Sequence, residues 1–158
     1  MHPKYFDLAS YFEKEAARLQ QQNFYLTKTI TKNNEQESKT MNTVNWMAEL
    51  KPFMECDINR AAWMNSYNID STFSEKNIIV KYSAKDSSLN VSLIQIVFSE
   101  NIPISIRVAR KNNKQFFEYI TQLSFIPGKY YSIDNLQRIT FTESIRIKIE
   151  AEFIKKPS

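Results

Sequence analysis

The chain has a single glycine, Gly128, in 158 residues, where average usage of about 7% would supply roughly eleven. Glycine reaches positive φ without steric cost and lets a backbone come close to a ligand. Phosphate-cradling loops and dinucleotide-binding turns need several glycines for that approach, and strained nucleophile elbows need them for tight packing. None of these devices can be built here. Reversals of direction must instead rest on asparagine, aspartate and serine.

Histidine is equally scarce. His2 is the only one, and a position so near a terminus suits neither a buried general base nor a metal ligand. Most hydrolase triads drop out. Zinc would require clustered cysteine and histidine, and calcium loops require alternating oxygen ligands around a central glycine; neither pattern occurs. Glu49, Glu55, Asp57, Glu118 and Asp134 are spaced like ordinary surface and capping residues, with nothing marking an acid–base pair. The expectation is therefore a protein that is not an enzyme, with no catalytic residues, no metal and no cofactor.

With 42% hydrophobic and 24% charged residues the sequence lies outside the regime of disordered chains. Its length suits one domain, residues 1–158, with close to ~70% of the unfolded surface buried. The formal charge of +4 is spread along the chain. Its densest run holds Arg107, Arg110, Lys111 and Lys114 around Asn112 and Asn113; this reads first as a solvated strand end and turn, and alternatively as an anionic contact. Cys56 is alone, which excludes an intrachain disulfide and suits buried packing. No apolar run approaches the ~18 residues of a membrane span, and residues 1–25 lack the apolar core of a secretion signal.

Phe6–Gln22 carries Leu8, Phe12, Ala16 and Leu19 at helical spacing, with Asp7 placed to meet unsatisfied N–H groups of the first turn. From Phe24 the period becomes two, predicting a strand, a turn over Lys32–Gln36 through Asn33 and Asn34, and a second strand over Glu37–Thr43. Trp46, Leu50, Phe53 and Met54 predict a second helix capped by Asn45, which Pro52 should kink or split. Beyond Asn65 the sequence predicts an antiparallel meander over 67–73, 78–82, 91–98, 104–109, 116–126, 139–141 and 145–153. Turns are expected at Asp86–Ser88, Glu100–Asn101, Asn112–Asn113 and Pro127–Gly128, the last a type II turn. Val91–Phe98 is apolar at both parities and should lie centrally, covered on both faces. Ile145–Phe153 alternates, so one sheet face there should be wet.

The fold expected is α+β: a curved antiparallel sheet of about seven to nine strands, with an N-terminal helix and a second, broken helix packed on one face. Bulges at polar residues such as Asn90 or Ser99 would supply the curvature that glycine kinks cannot. Aromatic residues are dense. Most belong to core and cross-strand pairs, while a cupped face of the sheet would offer Trp46, Trp63, Phe117, Tyr119, Tyr130 and Tyr131 to an apolar ligand or partner segment.

The succession Phe6-Asp7-Leu8 to Phe12-Glu13-Lys14-Glu15, then Thr27-Lys28-Thr29, Glu37-Ser38-Lys39-Thr40, and Trp46 through Asp57-Ile58-Asn59 to Ala62-Trp63 and Ser66-Tyr67, resembles uncharacterised lipoproteins of the Bacteroidota cell envelope. Pro127-Gly128-Lys129-Tyr130-Tyr131-Ser132-Ile133 is similar as well. Such proteins begin with an export signal and a lipid-bearing cysteine, and Cys56 is internal and cannot be that residue. The resemblance implies an envelope location, periplasmic or outer-membrane associated, once a signal has been removed, and membrane attachment only through an anchor outside this sequence; without such a leader the location would be cytoplasmic. It implies no activity and no site residues. The function expected is non-catalytic binding of a partner protein or apolar ligand, with a cytosolic interaction module or weak binder of anionic surfaces as the alternative. Nucleic acid is not the expected partner.

Overall fold

Asp7 caps the first helix, α1 (Leu8–Gln21), by accepting the Ser10 N–H at 3.0 Å. In this computed structural model, which describes residues 2–157, the stripe of Leu8, Phe12, Ala16 and Leu19 is buried. Glu15 is buried too, and its carboxylate takes the Arg18 Nε–H one turn later at 2.5 Å. Asn45 caps α2 (Trp46–Met54) through the Ala48 N–H at 3.2 Å. Pro52 withholds one helical donor, yet the helix continues past it, because Phe53 is buried against Phe12 and the Glu55 N–H still reaches the Lys51 carbonyl at 3.0 Å. The break predicted at Pro52 falls after Met54 instead, and a single 3-10 turn, Ala61–Trp63, follows.

The remaining elements are strands: β1 (Phe24–Lys32), β2 (Glu35–Met41), β3 (Tyr67–Ser74), β4 (Asn77–Ala84), β5 (Val91–Ser99), β6 (Ile102–Lys114), β7 (Phe117–Ile126), β8 (Tyr130–Ile139) and β9 (Ile145–Lys155). They form one open antiparallel sheet in the order β2-β1-β9-β8-β7-β6-β5-β4-β3. The architecture is α+β. From β3 to β9 the strands run as a meander, and the β1–β2 hairpin joins at β9 through pairs from Phe24↔Lys155 to Lys32↔Ile147.

Two further expectations, on where strands and turns lie, fail. Of the strand predicted at 139–141 only Ile139 is strand, the last residue of a longer one, β8, and Thr140 and Phe141 are turn; the polar Asp134-Asn135 centre of β8 imitates a turn, but pairing with β7 on one side and β9 on the other holds it extended. Asn112 and Asn113 are likewise not a turn, since β6 runs on through them opposite Tyr119 and Glu118.

Asparagine does take over part of glycine's role. Among the described residues, Asn23, Asn33 and Asn101 hold φ of 54°, 53° and 65°, while Gly128 alone among glycines holds 73° in the Pro127–Gly128 turn, closed by the Lys129 N–H on the Ile126 carbonyl at 3.1 Å. The register shifts at Val91/Leu93 and Val97/Phe98, beside the polar positions Asn90 and Ser99.

Register separates the two faces of the sheet. One row runs Val80–Ile96–Ile106–Phe125–Tyr131–Ala151, and its neighbour Tyr82–Ile94–Val108–Leu123–Ile133–Ile149. The helical side chains touch this face. Phe12 meets Phe125 at 4.8 Å between ring centroids, Phe53 meets Tyr131 at 5.9 Å, and Trp46 meets Phe153 at 4.9 Å. Tyr5 and Phe6, ahead of α1, extend these contacts to Tyr82 and Phe98.

On the reverse face a row crosses every strand as Asp70–Lys81–Gln95–Arg107–Ser124–Ser132–Glu150–Thr29–Ser38. None of these is buried. Val91–Phe98 is therefore covered on one face only: Ile94 and Ile96 are buried, whereas Leu93, Gln95 and Val97 are half-buried. The apolar residues at both parities misled because a half-exposed Leu or Val on a sheet is common and costs little.

Candidate functional site: the uncovered half of the helix-bearing face

Helical aromatic contacts on the apolar face end near Phe125, Tyr131 and Phe153, but β6, β7, β8 and β9 run on. Beyond that point the same face presents Arg110, Asn112 and Lys114 from β6, and Phe117, Tyr119 and Thr121 from β7. Asn135, Gln137 and Ile139 stand opposite them on β8, and Ile145 and Ile147 on β9. On β6, β7 and β8 the composition changes from hydrocarbon to guanidinium, amide, hydroxyl and ring, while β9 stays hydrocarbon. Phe117 is 38% exposed and lies nearly parallel to Tyr119, at 25° with centroids 6.3 Å apart. The Tyr119 hydroxyl accepts Gln137 Nε2–H at 3.4 Å.

Next to these rings is an open depression of about 200 Å³ lined by Asn90, Arg110, Lys111, Asn112, Tyr119, Thr121 and Asn135. Arg110 is oriented there by its Nε–H, which Asn90 Oδ1 accepts at 2.9 Å. Asn135 Oδ1 is buried and has no hydrogen-bond partner. A second depression, about 350 Å³, shares Asn90 and Asn112 and reaches Ser87 and Ser88. A third, about 370 Å³, lies at the β6–β7 tip beside Phe117 and Ile139.

The six aromatic residues singled out from sequence do not converge. Trp46 and Tyr131 are core, each 1% exposed. Trp63 sits in the 3-10 turn under the Arg60 guanidinium, 4.5 Å from its ring. Tyr130 stands on the reverse face, opposite Glu152, as alternation next to Tyr131 requires. Phe117 and Tyr119 alone share a surface.

The four basic residues are divided as well. Arg107 and Lys111 point to the reverse face, opposite Ser124 and Ile120, whereas Arg110 and Lys114 point to the helix-bearing face. Lys111 is also paired with Glu118 at 3.2 Å, and Arg138 reaches the other oxygen of that carboxylate at 3.5 Å. Thr121, Asn135 and Gln137 are not site residues by sequence, nor is Asn90, which reads there only as a bulge position; the register of β8, misread from sequence, brings Asn135 and Gln137 beside Tyr119, and Asn90 reaches the site through Arg110.

Among the described residues no cluster of three or more His, Cys, Asp or Glu could hold a metal ion, and no helix is long and apolar enough to cross a membrane. Burial raises the Cys56 thiol to about 11, and it donates to the Pro52 carbonyl at 3.2 Å. Set against known protein families, curated proteins and solved structures, the chain matches none.

Proposed function

We propose that this is a non-catalytic binding module that presents the uncovered half of its helix-bearing face to a ligand or partner. The observation that carries the reading is the abrupt end of helical contact on a face that continues, with exposed Phe117 stacked on Tyr119 beside polar depressions. Exposed aromatic rings held rigidly by a sheet bind with little loss of conformational freedom. The reading includes a sheet curved around the two helices, supported by the register shifts in β5 and by the ring contacts from α1 and α2. It also includes export to the cell envelope, supported by the likeness of short motifs to envelope lipoproteins.

A thermal-shift panel of oligosaccharides, peptides and fatty acids, followed by amide-exchange mapping of each hit, tests the binding reading. Protection is expected at 110–121 and 135–147. Hits that protect only the reverse face would overturn it, as would turnover of a panel member. Fractionation of cells expressing the natural gene tests the location, and recovery in the cytoplasm would remove the envelope part alone.

A further inference from the structure

We propose that the surface from Arg110 to Gln137 on the helix-bearing face binds a saccharide carrying a carboxylate, an inference that rests on the binding reading above and names its ligand class. Phe117 and Tyr119, two residues apart on one strand, are stacked nearly parallel, and Phe117 is exposed. An exposed ring of this pair suits the C–H face of a pyranose ring, which is apolar, rigid and slightly positive against the negative face of the aromatic.

Around the pair stand Asn90, Asn112, Asn135 and Gln137, each with a donor and an acceptor on one planar amide. Neighbouring sugar hydroxyls need that same combination. In the same depression Arg110, held through Nε by Asn90 and lying beside the Cys56 thiol, supplies the guanidinium charge that matches a carboxylate. The adjoining depression toward Ser87 and Ser88 gives space for a second sugar unit.

Competing ligands fit less well. A nucleic acid would also stack on Phe117 and Tyr119, but its phosphates need several cations on one surface. Arg107 points to the reverse face, and Lys111, at the rim of the depressions, is paired with Glu118 at 3.2 Å. An apolar ligand would bury the Asn112 and Asn135 amides and the Thr121 hydroxyl beside hydrocarbon, leaving them unsatisfied.

The test is calorimetric titration of the full chain with glucuronate-containing oligosaccharides, their carboxyl-reduced counterparts, free glucuronate, oligothymidylate and an unrelated peptide. The acidic oligosaccharide is expected to bind, with carboxyl reduction and Arg110→Gln each weakening it about tenfold or more. Phe117→Ala changes an exposed side chain and so keeps the fold; it is expected to weaken acidic and reduced oligosaccharides alike. Binding by free glucuronate as tight as by the oligosaccharide would assign the site to a free sugar acid, still within the proposal. Absence of binding by every acidic saccharide, or binding indifferent to both substitutions, would overturn it. If only the peptide or oligothymidylate binds and protects 110–121, the saccharide assignment fails while the binding reading stands. If no ligand protects this face, both fail.

Discussion

Tyr131 on β8 donates its hydroxyl to Glu49 Oε2 on α2 at 2.5 Å, and the same carboxylate oxygen receives Lys28 Nζ from β1 at 3.0 Å. One acidic side chain thus joins the second helix to two strands that are not adjacent in the sheet. Glu49→Ala would strand both a buried phenol and a half-buried ammonium, with an expected loss of about 2–3 kcal/mol, whereas Tyr131→Phe keeps the ion pair and should lose about 1 kcal/mol. Urea denaturation of the two variants checks this ordering, and equal losses would contradict it.

Asn59 holds the segment ahead of α1. Its Oδ1 accepts the Tyr5 N–H at 2.9 Å, and its Nδ2 donates to the Tyr5 and Phe6 carbonyls at 3.1 Å. Asn59→Ala leaves the Tyr5 N–H and carbonyl unpaired, while the Phe6 carbonyl keeps the Leu8 N–H, and should cost about 2 kcal/mol. Asn59→Asp keeps only the acceptor role and should be little better. A melting temperature unchanged in either variant would show that water replaces these bonds.

Gly128 tests how far the fold depends on its one permissive residue. At φ 73° an alanine is strained, although the nearest atom to an added Cβ is Arg18 Nη2 at 3.6 Å, so no clash arises. Gly128→Ala should lose about 1–2 kcal/mol from the dihedral alone. Gly128→Asn should recover part of it, since asparagine already occupies this region at Asn33 and Asn101. Equal stability of the Ala and Asn variants would argue against that account.

The fold should be sensitive to alkali. Burial raises the pKa of Tyr11, Tyr82 and Tyr131 above the ordinary 10.0, moves that of Tyr67 to about 12 and moves that of Cys56 from 9.0 to about 11. In each case the folded state holds its proton more tightly, so the contribution is complete below the unfolded value and is lost as pH rises toward the folded one. The urea midpoint should be flat in these groups up to about pH 8 and should fall steadily above about pH 9. A midpoint unchanged at about pH 10.5 would contradict the burial of these phenols.

Cys56, fully buried and protonated at neutral pH, should react with an aromatic disulfide reagent only when the protein unfolds. Labelling that is as fast in the native protein as in urea would show that the α2 end opens readily.

Sequence reasoning recovered the elements whose signal is local. Asp7 and Asn45 have the side chains that caps need; Ile145, Ile147, Ile149, Ala151 and Phe153 alternate without interruption; and Pro127-Gly128 has one favoured geometry. β8 was lost because its extended form is imposed by neighbours on both sides and not by Asp134 or Asn135 themselves. The site was half legible for the same reason. Phe117 and Tyr119 stand out as rings, but Tyr130 and Tyr131 do too; which ring faces α2 depends on register, and where helical cover ends depends on tertiary packing. The amides of Asn90, Asn112, Asn135 and Gln137 read as ordinary surface until four strands are aligned.

The pairing of β1 with β9 sets the order in which the molecule can assemble. β3 to β8 can form neighbour by neighbour as the polypeptide leaves the ribosome, whereas the β1–β2 hairpin has no docking edge until β9 emerges. Until then the Trp46 end of α2, which packs on Phe153, and the edge of β8 are open to other chains, so shielding of these two surfaces is a condition of correct assembly.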